Sequence, residues 1–287
     1  MKLLIVGDLH GQMPEIYFND FDAIIAPGDF CSDAVRKYMF QALKERIANP
    51  NSKAEWYDLM GKEIAKDAIE KSLSDGRVIL EKLNSFNKPI YIVPGNWDWT
   101  KDKESKWGFL KIDHYKILTQ KLNNLVNVHH KILDLGDYQI IGHGISSGPE
   151  YPQYKEDLAR FTPEELVKKK KKYDQLYKEV DKLFIKASKP VIFLSHNVPY
   201  NTPIDAINNP DSPRNGYHYG SLITREMIDK HQPLVCIGGH MHEHFTKCML
   251  DQTTCINAGF GSHVNTFLEL DGNNIRQLVF HDEKKVY

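Results

Sequence analysis

Lys2-Leu3-Leu4-Ile5-Val6-Gly7-Asp8-Leu9-His10-Gly11 sets the pattern for the whole chain. Residues 2–6 run without polar alternation, as a strand covered on both faces does, and Gly7 marks the exit into a loop carrying Asp8 and His10. The same grammar recurs four times. Residues 23–26 lead into Gly28-Asp29, 90–93 into Gly95-Asn96, 191–194 into Ser195-His196, and 234–237 into Gly238-Gly239-His240. Five buried strands thus each deliver a polar or imidazole side chain just past their C-terminal ends. In open α/β sheets that edge is where ligands bind.

Working outward, the spaces between strands read as helices. Ser32 is placed to cap a helix through Val35, Met39 and Leu43. Ser52-Lys53-Ala54-Glu55 reads as a capping box opening a helix with Trp56, Leu59 and Ile64 on one side. Thr162-Pro163-Glu164-Glu165 is a second capping box, with Pro at the first helical position. The helix it opens carries Leu166, Tyr173 and Val180, with Leu176 and Leu183, as an amphipathic stripe of nearly heptad period. Its Lys168–Lys172 run reads as a solvated face. After residue 245 the pattern changes to short alternating segments near 245–250, 253–257, 264–270 and 275–280, the signature of antiparallel hairpins. Parallel-type strands first and hairpins last predict one α/β domain over 1–287, with helical insertions near 31–88 and 150–187.

Composition narrows the function classes. Of 287 residues 41% are apolar and 26% charged, and 37 Lys+Arg against 38 Asp+Glu give a formal net charge of −1. A wholly disordered or collagen-like chain is excluded, and near neutrality argues against tight nonspecific binding to nucleic acid or an anionic membrane. No apolar run approaches the roughly 18 residues a bilayer crossing needs. The start lacks the length and cleavage site of a secretory signal, so a cytoplasmic location is expected. Cys31, Cys236, Cys248 and Cys255 show no CxxC spacing, which predicts neither a disulfide framework nor a Cys-rich zinc site.

The strand ends together supply Asp8, His10, Asp29, Asn96, His196, His240 and His242. Singly, a Gly-Asp after a strand is a turn or a cap, and a His there is structural. As an ordered set, carboxylates, imidazoles and one amide oxygen suit first-row divalent metals and are too nitrogen-rich for a dedicated Ca²⁺ or Mg²⁺ cage. Seven groups exceed the needs of one tetrahedral ion and, with one carboxylate shared, suffice for two.

GDLHG (7–11), PGDF (27–30), PGNWD (94–98), SHNVP (195–199) and GGHMH (238–242), in this order, resemble the calcineurin-like metallophosphoesterases. The resemblance implies an α/β sandwich of two mixed β-sheets flanked by helices, a metallo-dependent phosphatase-like fold. It implies two divalent ions, with Mn²⁺ first and Fe, Zn²⁺, Co²⁺ or Ni²⁺ also accepted by these ligands. Asp8, His10 and His242 would hold one, Asn96, His196 and His240 the other, and Asp29 would bridge them. The implied reaction is phosphoester hydrolysis by a metal-bridging hydroxide attacking phosphorus in line.

One block departs from the family. Its third motif usually ends Gly-Asn-His-Asp or Gly-Asn-His-Glu, and that imidazole assists the leaving group; here Trp97 stands in its place. An indole donates a hydrogen bond but delivers no proton at useful pH. The loss tilts the expectation toward phosphodiesters with activated leaving groups. His218, in Gly216-Tyr217-His218-Tyr219-Gly220-Ser221, is the first candidate replacement and a candidate substrate contact, because a helix starting at Ser221 would offer free N–H groups to a phosphate. His143, between Gly142 and Gly144, is the second. Asp98 reads as orienting a neighbour, and alternation past His242 turns His244 away. Trp97, Trp99 and Tyr217 are either a stacking surface for substrate or local packing. A small-molecule or nucleotide phosphoester is the expected partner, with a homo-oligomer open. The alternatives are a non-catalytic metal-binding scaffold of the same fold, or a nuclease.

Overall fold

The computed structural model describes residues 1–49, 51–100, 114–212 and 214–284. Strands β1 (Lys2–Val6), β2 (Ala23–Ala26), β3 (Ile90–Ile92) and β4 (Leu125–Asn127) run parallel, and β11 (Val264–Asp271) and β12 (Asn274–Asp282) extend them antiparallel in the order β12-β11-β1-β2-β3-β4. The second sheet has the order β5-β6-β7-β8-β10-β9, from β5 (Ile132–Asp134), β6 (Gln139–His143), β7 (Val191–Asn197), β8 (Val235–Gly239), β9 (Thr246–Leu250) and β10 (Thr253–Asn257). Its β6, β7, β8 and β10 are parallel neighbours, while β5 and β9 pair antiparallel at the two edges. Two mixed six-stranded sheets result.

Alternation along each strand sorts side chains into three apolar layers. Leu3 and Ile5 of β1 join Ile25, Ile140, Ile192, Leu194, Val235 and Ile237 between the sheets. Leu4 and Val6 point the other way, into a layer with Ile24, Ile69, Ile79 and Leu80 under helices α1 (Arg36–Ala48), α2 (Trp56–Met60), α3 (Lys62–Asn84) and α4 (His114–Thr119). Phe193 and Cys236 face a third layer with Tyr173, Val180, Phe184 and Met227, beneath α6 (Pro163–Ile185) and α7 (Leu222–His231); the one-turn α5 (Lys155–Leu158) precedes them. Being covered on both faces explains the unbroken apolar runs.

Local details differ from the sequence reading in four places. Helix α1 starts after Val35 without a side-chain cap; Ser32 instead donates its hydroxyl to Asp75 at 2.9 Å. The Ser52 box does not cap a helix: α2 begins after Glu55 and stops at Gly61, whose φ of 90° breaks the chain direction before α3. Leu59 and Ile64 are exposed in consequence. The three-residue strands β4 and β5 were too short to carry a period. Both predicted hairpins form, but they split: β9–β10 completes the second sheet and β11–β12 the first. The Thr162 capping box is present with both reciprocal bonds. No described helix is long and apolar enough to cross a membrane.

Candidate metal centre

The C-terminal ends of β1, β2 and β3 in one sheet meet those of β7 and β8 in the other. Asp8 is fully buried; its Oδ2 accepts the His240 backbone N–H at 2.6 Å and stands 3.4 Å from His242 Nε2. His10 Nε2 lies 3.2 Å from His242 Nε2. Asp8, His10 and His242 place one ligand atom each within 4.8 Å of one another, and Asp29, His196 and His240 do the same. Asn96 Oδ1 adds a contact at 2.9 Å to His196 Nε2. Asp29 joins the two trios: its Oδ2 is 3.4 Å from His10 Nε2 and 3.5 Å from His196 Nε2. All seven strand-end residues therefore converge on one place.

The chemistry of that place is acceptor-rich and donor-poor. Asp8 Oδ1, Asp29 Oδ2 and His10 Nδ1 are buried without a hydrogen-bond partner, each a cost of roughly 1–3 kcal/mol if left so. His196 Nδ1 donates to the Pro27 carbonyl at 2.9 Å, which leaves a lone pair on Nε2 facing Asn96 Oδ1. Two lone pairs opposed at hydrogen-bond distance repel each other, and a cation between such groups removes the repulsion. This donor set fits divalent transition metals.

Burial and environment shape the charges. Burial pushes His10 down to about 4 against the pull of Asp8, and burial with His196 nearby pushes His240 down to about 3. Burial opposes charge on Asp8, but the His242 hydrogen bond and neighbouring imidazoles outweigh it and hold the carboxyl below its usual range. Burial, then the charges of Asp8 and Asp98, raise Asp29 well above it. Neutral imidazoles beside carboxylates are the form in which these groups bind metal.

Local backbone makes the convergence feasible. His10, Asp29 and His240 hold left-handed φ of 45°, 57° and 66°, a strain of about 1–3 kcal/mol each that tertiary bonds must hold in place. Asp98 does much of this. Its carboxylate accepts the backbone N–H groups of Asp29, Gly95 and Phe30 at 2.8 Å and of Cys31 at 3.2 Å, clamping the loop after β2 onto the loop after β3. A Cβ on Gly95 would sit 2.0 Å from Asp29 Oδ1, and one on Gly239 2.2 Å from Asp8 Oδ1, so both glycines are required by close approach.

Trp97 stands beside the cluster. Its backbone N–H donates to Asp29 Oδ1 at 2.8 Å, and its ring meets His10 edge-on, with centroids 6.0 Å apart. Trp99 is buried in the helical layer, its indole N–H bonded to Ser72, and Tyr217 stacks on Tyr154 at 4.2 Å; both serve local packing. Phe260, absent from the sequence reading, stacks on His242 at 4.2 Å and bridges to Asp8. The Gly259-Phe260-Gly261 step just past β10 was its signal, the strand-exit grammar with an aromatic in the functional place.

The two proton-donor candidates sit in clusters of their own. His218 Nδ1 is 2.7 Å from Oδ1 of fully buried Asp205, which also accepts the N–H groups of Asn201, Thr202 and Gly220. Ser221 caps α7 as expected. The free helix N–H groups expected there are already used: Glu150 accepts from the Leu222 N–H at 2.8 Å and the Ile223 N–H at 3.3 Å, and from Ser221 Oγ at 2.6 Å. That end of α7 is closed by the protein's own carboxylate. His143 is buried, its Nε2 3.5 Å from Glu150 and its Nδ1 3.4 Å from His130. His244 bonds the Ala206 carbonyl at 2.7 Å, outside the cluster.

The imidazoles beside His143 carry a pH prediction. Burial, then His143, pushes His130 down to about 4, and burial pushes His129 well below the usual imidazole value. The unfolded chain takes up these protons near pH 6.5, while the folded chain refuses them until lower pH. Their stabilisation is therefore complete above about pH 6.5 and declines as pH falls toward about 4. Urea unfolding at about pH 5 is expected to give less stability than at about pH 7, with His130 alone accounting for about 2 kcal/mol of the loss and His130→Gln reducing the difference by that share. A wild-type stability equal at both pH values would contradict it.

Two mixed sheets meeting at a carboxylate–imidazole cluster define a metal-dependent hydrolase architecture. The chain belongs to the calcineurin-like phosphoesterase family, whose sequence pattern matches residues 1–244. The family implies a dimetal centre and metal-dependent phosphoester hydrolysis, and the two ligand trios fit it. No curated protein matches this chain in sequence. Among solved structures, TT1561 of Thermus thermophilus has a similar fold, with a TM-score of 0.50 and 15% identity over 98% of both chains. Phosphopantetheinyl hydrolase from Mycobacterium tuberculosis reaches 0.51 at 12% identity over 91% of this chain and 89% of its own.

Proposed function

We propose that this protein is a dimetal phosphodiesterase. The observation that carries the reading is Asp29 Oδ2, unpartnered, buried and nearly equidistant from one imidazole of each trio. Asp8, His10 and His242 would hold one ion, Asn96, His196 and His240 the other, and Asp29 both. Two bound divalent cations supply Lewis acidity toward phosphoryl oxygens and acidify water. Asn96 brings a neutral oxygen, which keeps the centre positive toward an anionic substrate. Trp97 walls the site beside His10 and excludes water there, but its indole gives no proton to a departing alkoxide. Diesters with activated leaving groups, which need no such proton, are the substrates this arrangement favours.

With Mn²⁺ loaded, kcat/KM for bis-p-nitrophenyl phosphate is expected to exceed that for p-nitrophenyl phosphate. The reverse order would overturn the diester assignment, and zero turnover on every phosphoester would favour a metal-binding scaffold.

His218 is the proposed proton donor for less activated esters. Asp205 takes its Nδ1–H, so the half-exposed ring presents Nε2 for proton exchange. His218→Gln is expected to slow hydrolysis of an alkyl phosphodiester about 10²-fold while leaving bis-p-nitrophenyl phosphate nearly unchanged. Equal losses on both substrates would remove His218 from that role.

A further inference from the structure

Three of the cysteines share one rung of the second sheet. Cys255 on β10 stands directly opposite Cys248 on β9 in the antiparallel pair and beside Cys236 on β8 in the parallel one. Opposed residues of antiparallel strands have Cα atoms roughly 4.5–5.5 Å apart, inside the roughly 4.4–6.8 Å a disulfide spans. Cys255 belongs to the third apolar layer and Cys248 packs against that same layer, so both side chains lie on one face of the sheet; Cys255 Sγ donates to the Thr253 carbonyl at 3.9 Å. All four cysteines are free thiols; Cys236 and Cys255 are buried, and Cys248 is half-buried on the edge strand. The adjacent Cys255 thiol, helped by Thr202 and the charge of Arg225, holds the Cys248 thiol below its usual value against burial and Asp205. The adjacent Cys248 thiol, then burial, raises Cys255. An accessible, acidified thiol beside a resolving thiol is the arrangement of oxidation-sensitive cysteine pairs.

We propose that Cys248 and Cys255 are a peroxide-oxidisable pair that closes a cross-strand disulfide between β9 and β10. The Cys248 thiolate attacks one oxygen of hydrogen peroxide. The O–O bond breaks, hydroxide leaves and is protonated to water, and Cys248 becomes a sulfenic acid. Cys255 sulfur then attacks Cys248 Sγ; the S–S bond forms, the S–O bond breaks, and the oxygen departs with the thiol proton as a second water. Two thiols have lost two electrons, and one peroxide has become two waters.

The test treats the full, reduced, Mn²⁺-loaded chain, freed of reductant, with stoichiometric hydrogen peroxide. The intact mass is expected to fall by two hydrogens, reversibly with dithiothreitol. Peptide mapping is expected to link Cys248 to Cys255, and iodoacetamide under denaturation to label only Cys31 and Cys236. Cys255→Ser is expected to strand Cys248 as a sulfenic acid that dimedone captures, and Cys248→Ser to abolish both products. An unchanged wild-type mass, oxygen addition without cross-linking, or a Cys255–Cys236 link would each overturn the proposal. These readouts use no catalytic activity, so they stand or fall apart from the proposed phosphodiesterase.

Discussion

Asp29→Asn is expected to lower kcat/KM for bis-p-nitrophenyl phosphate by about 10³-fold and to reduce bound metal by about half. The replacement keeps the volume of the side chain and an oxygen to accept the Trp97 N–H, now made at 2.8 Å. It removes the carboxyl Oδ2 that stands 3.4 Å from His10 and 3.5 Å from His196. Structure is thus preserved while the shared ligand is lost. Metal content measured by mass spectrometry alongside steady-state kinetics separates the contributions. Activity within tenfold of wild type, with two metals still bound, would remove Asp29 from the bridging position.

Asp98→Ala is expected to cost about 4 kcal/mol of folding stability and to weaken metal binding, although Asp98 is not among the proposed ligands. Its four backbone N–H partners lie in a buried region, and deleting the carboxylate strands all of them. Asp98→Asn should rescue little, because an amide NH₂ would face either the N–H pair of Asp29 and Gly95 or that of Phe30 and Cys31. Denaturant midpoints of the metal-free proteins give the stability term, and metal titration gives the second. A loss under 1 kcal/mol would show that the two loops hold their conformation without this clamp.

The candidate ligands were legible because each lies at or just past the end of a strand the chain marks locally: an apolar run, a Gly or Ser, then a polar group. Period and turn chemistry are short-range properties, so β1, β2, β3, β7 and β8 and the Thr162 cap could be read directly. The failures were equally physical. Ser32 and Ser52 fit a capping pattern, but Asp75 and Glu45 bind their hydroxyls instead. The free N–H groups expected at the start of α7 are taken by Glu150, separated from Leu222 by 72 positions in the chain, and no local pattern announces such a partner.

By itself, then, the order of residues determined the strand ends, the seven candidate ligands and the missing imidazole at Trp97. Only the folded chain decided that Asp29 Oδ2 lies between the two trios, that Asp98 clamps its loop, that Phe260 stacks on His242, and that Cys248, Cys255 and Cys236 line one rung. Each of these depends on strand pairing or on contacts between distant loops. Such contacts are fixed by burial of whole sheet faces and by pairing of every buried N–H, and neither condition is written in any one stretch of sequence.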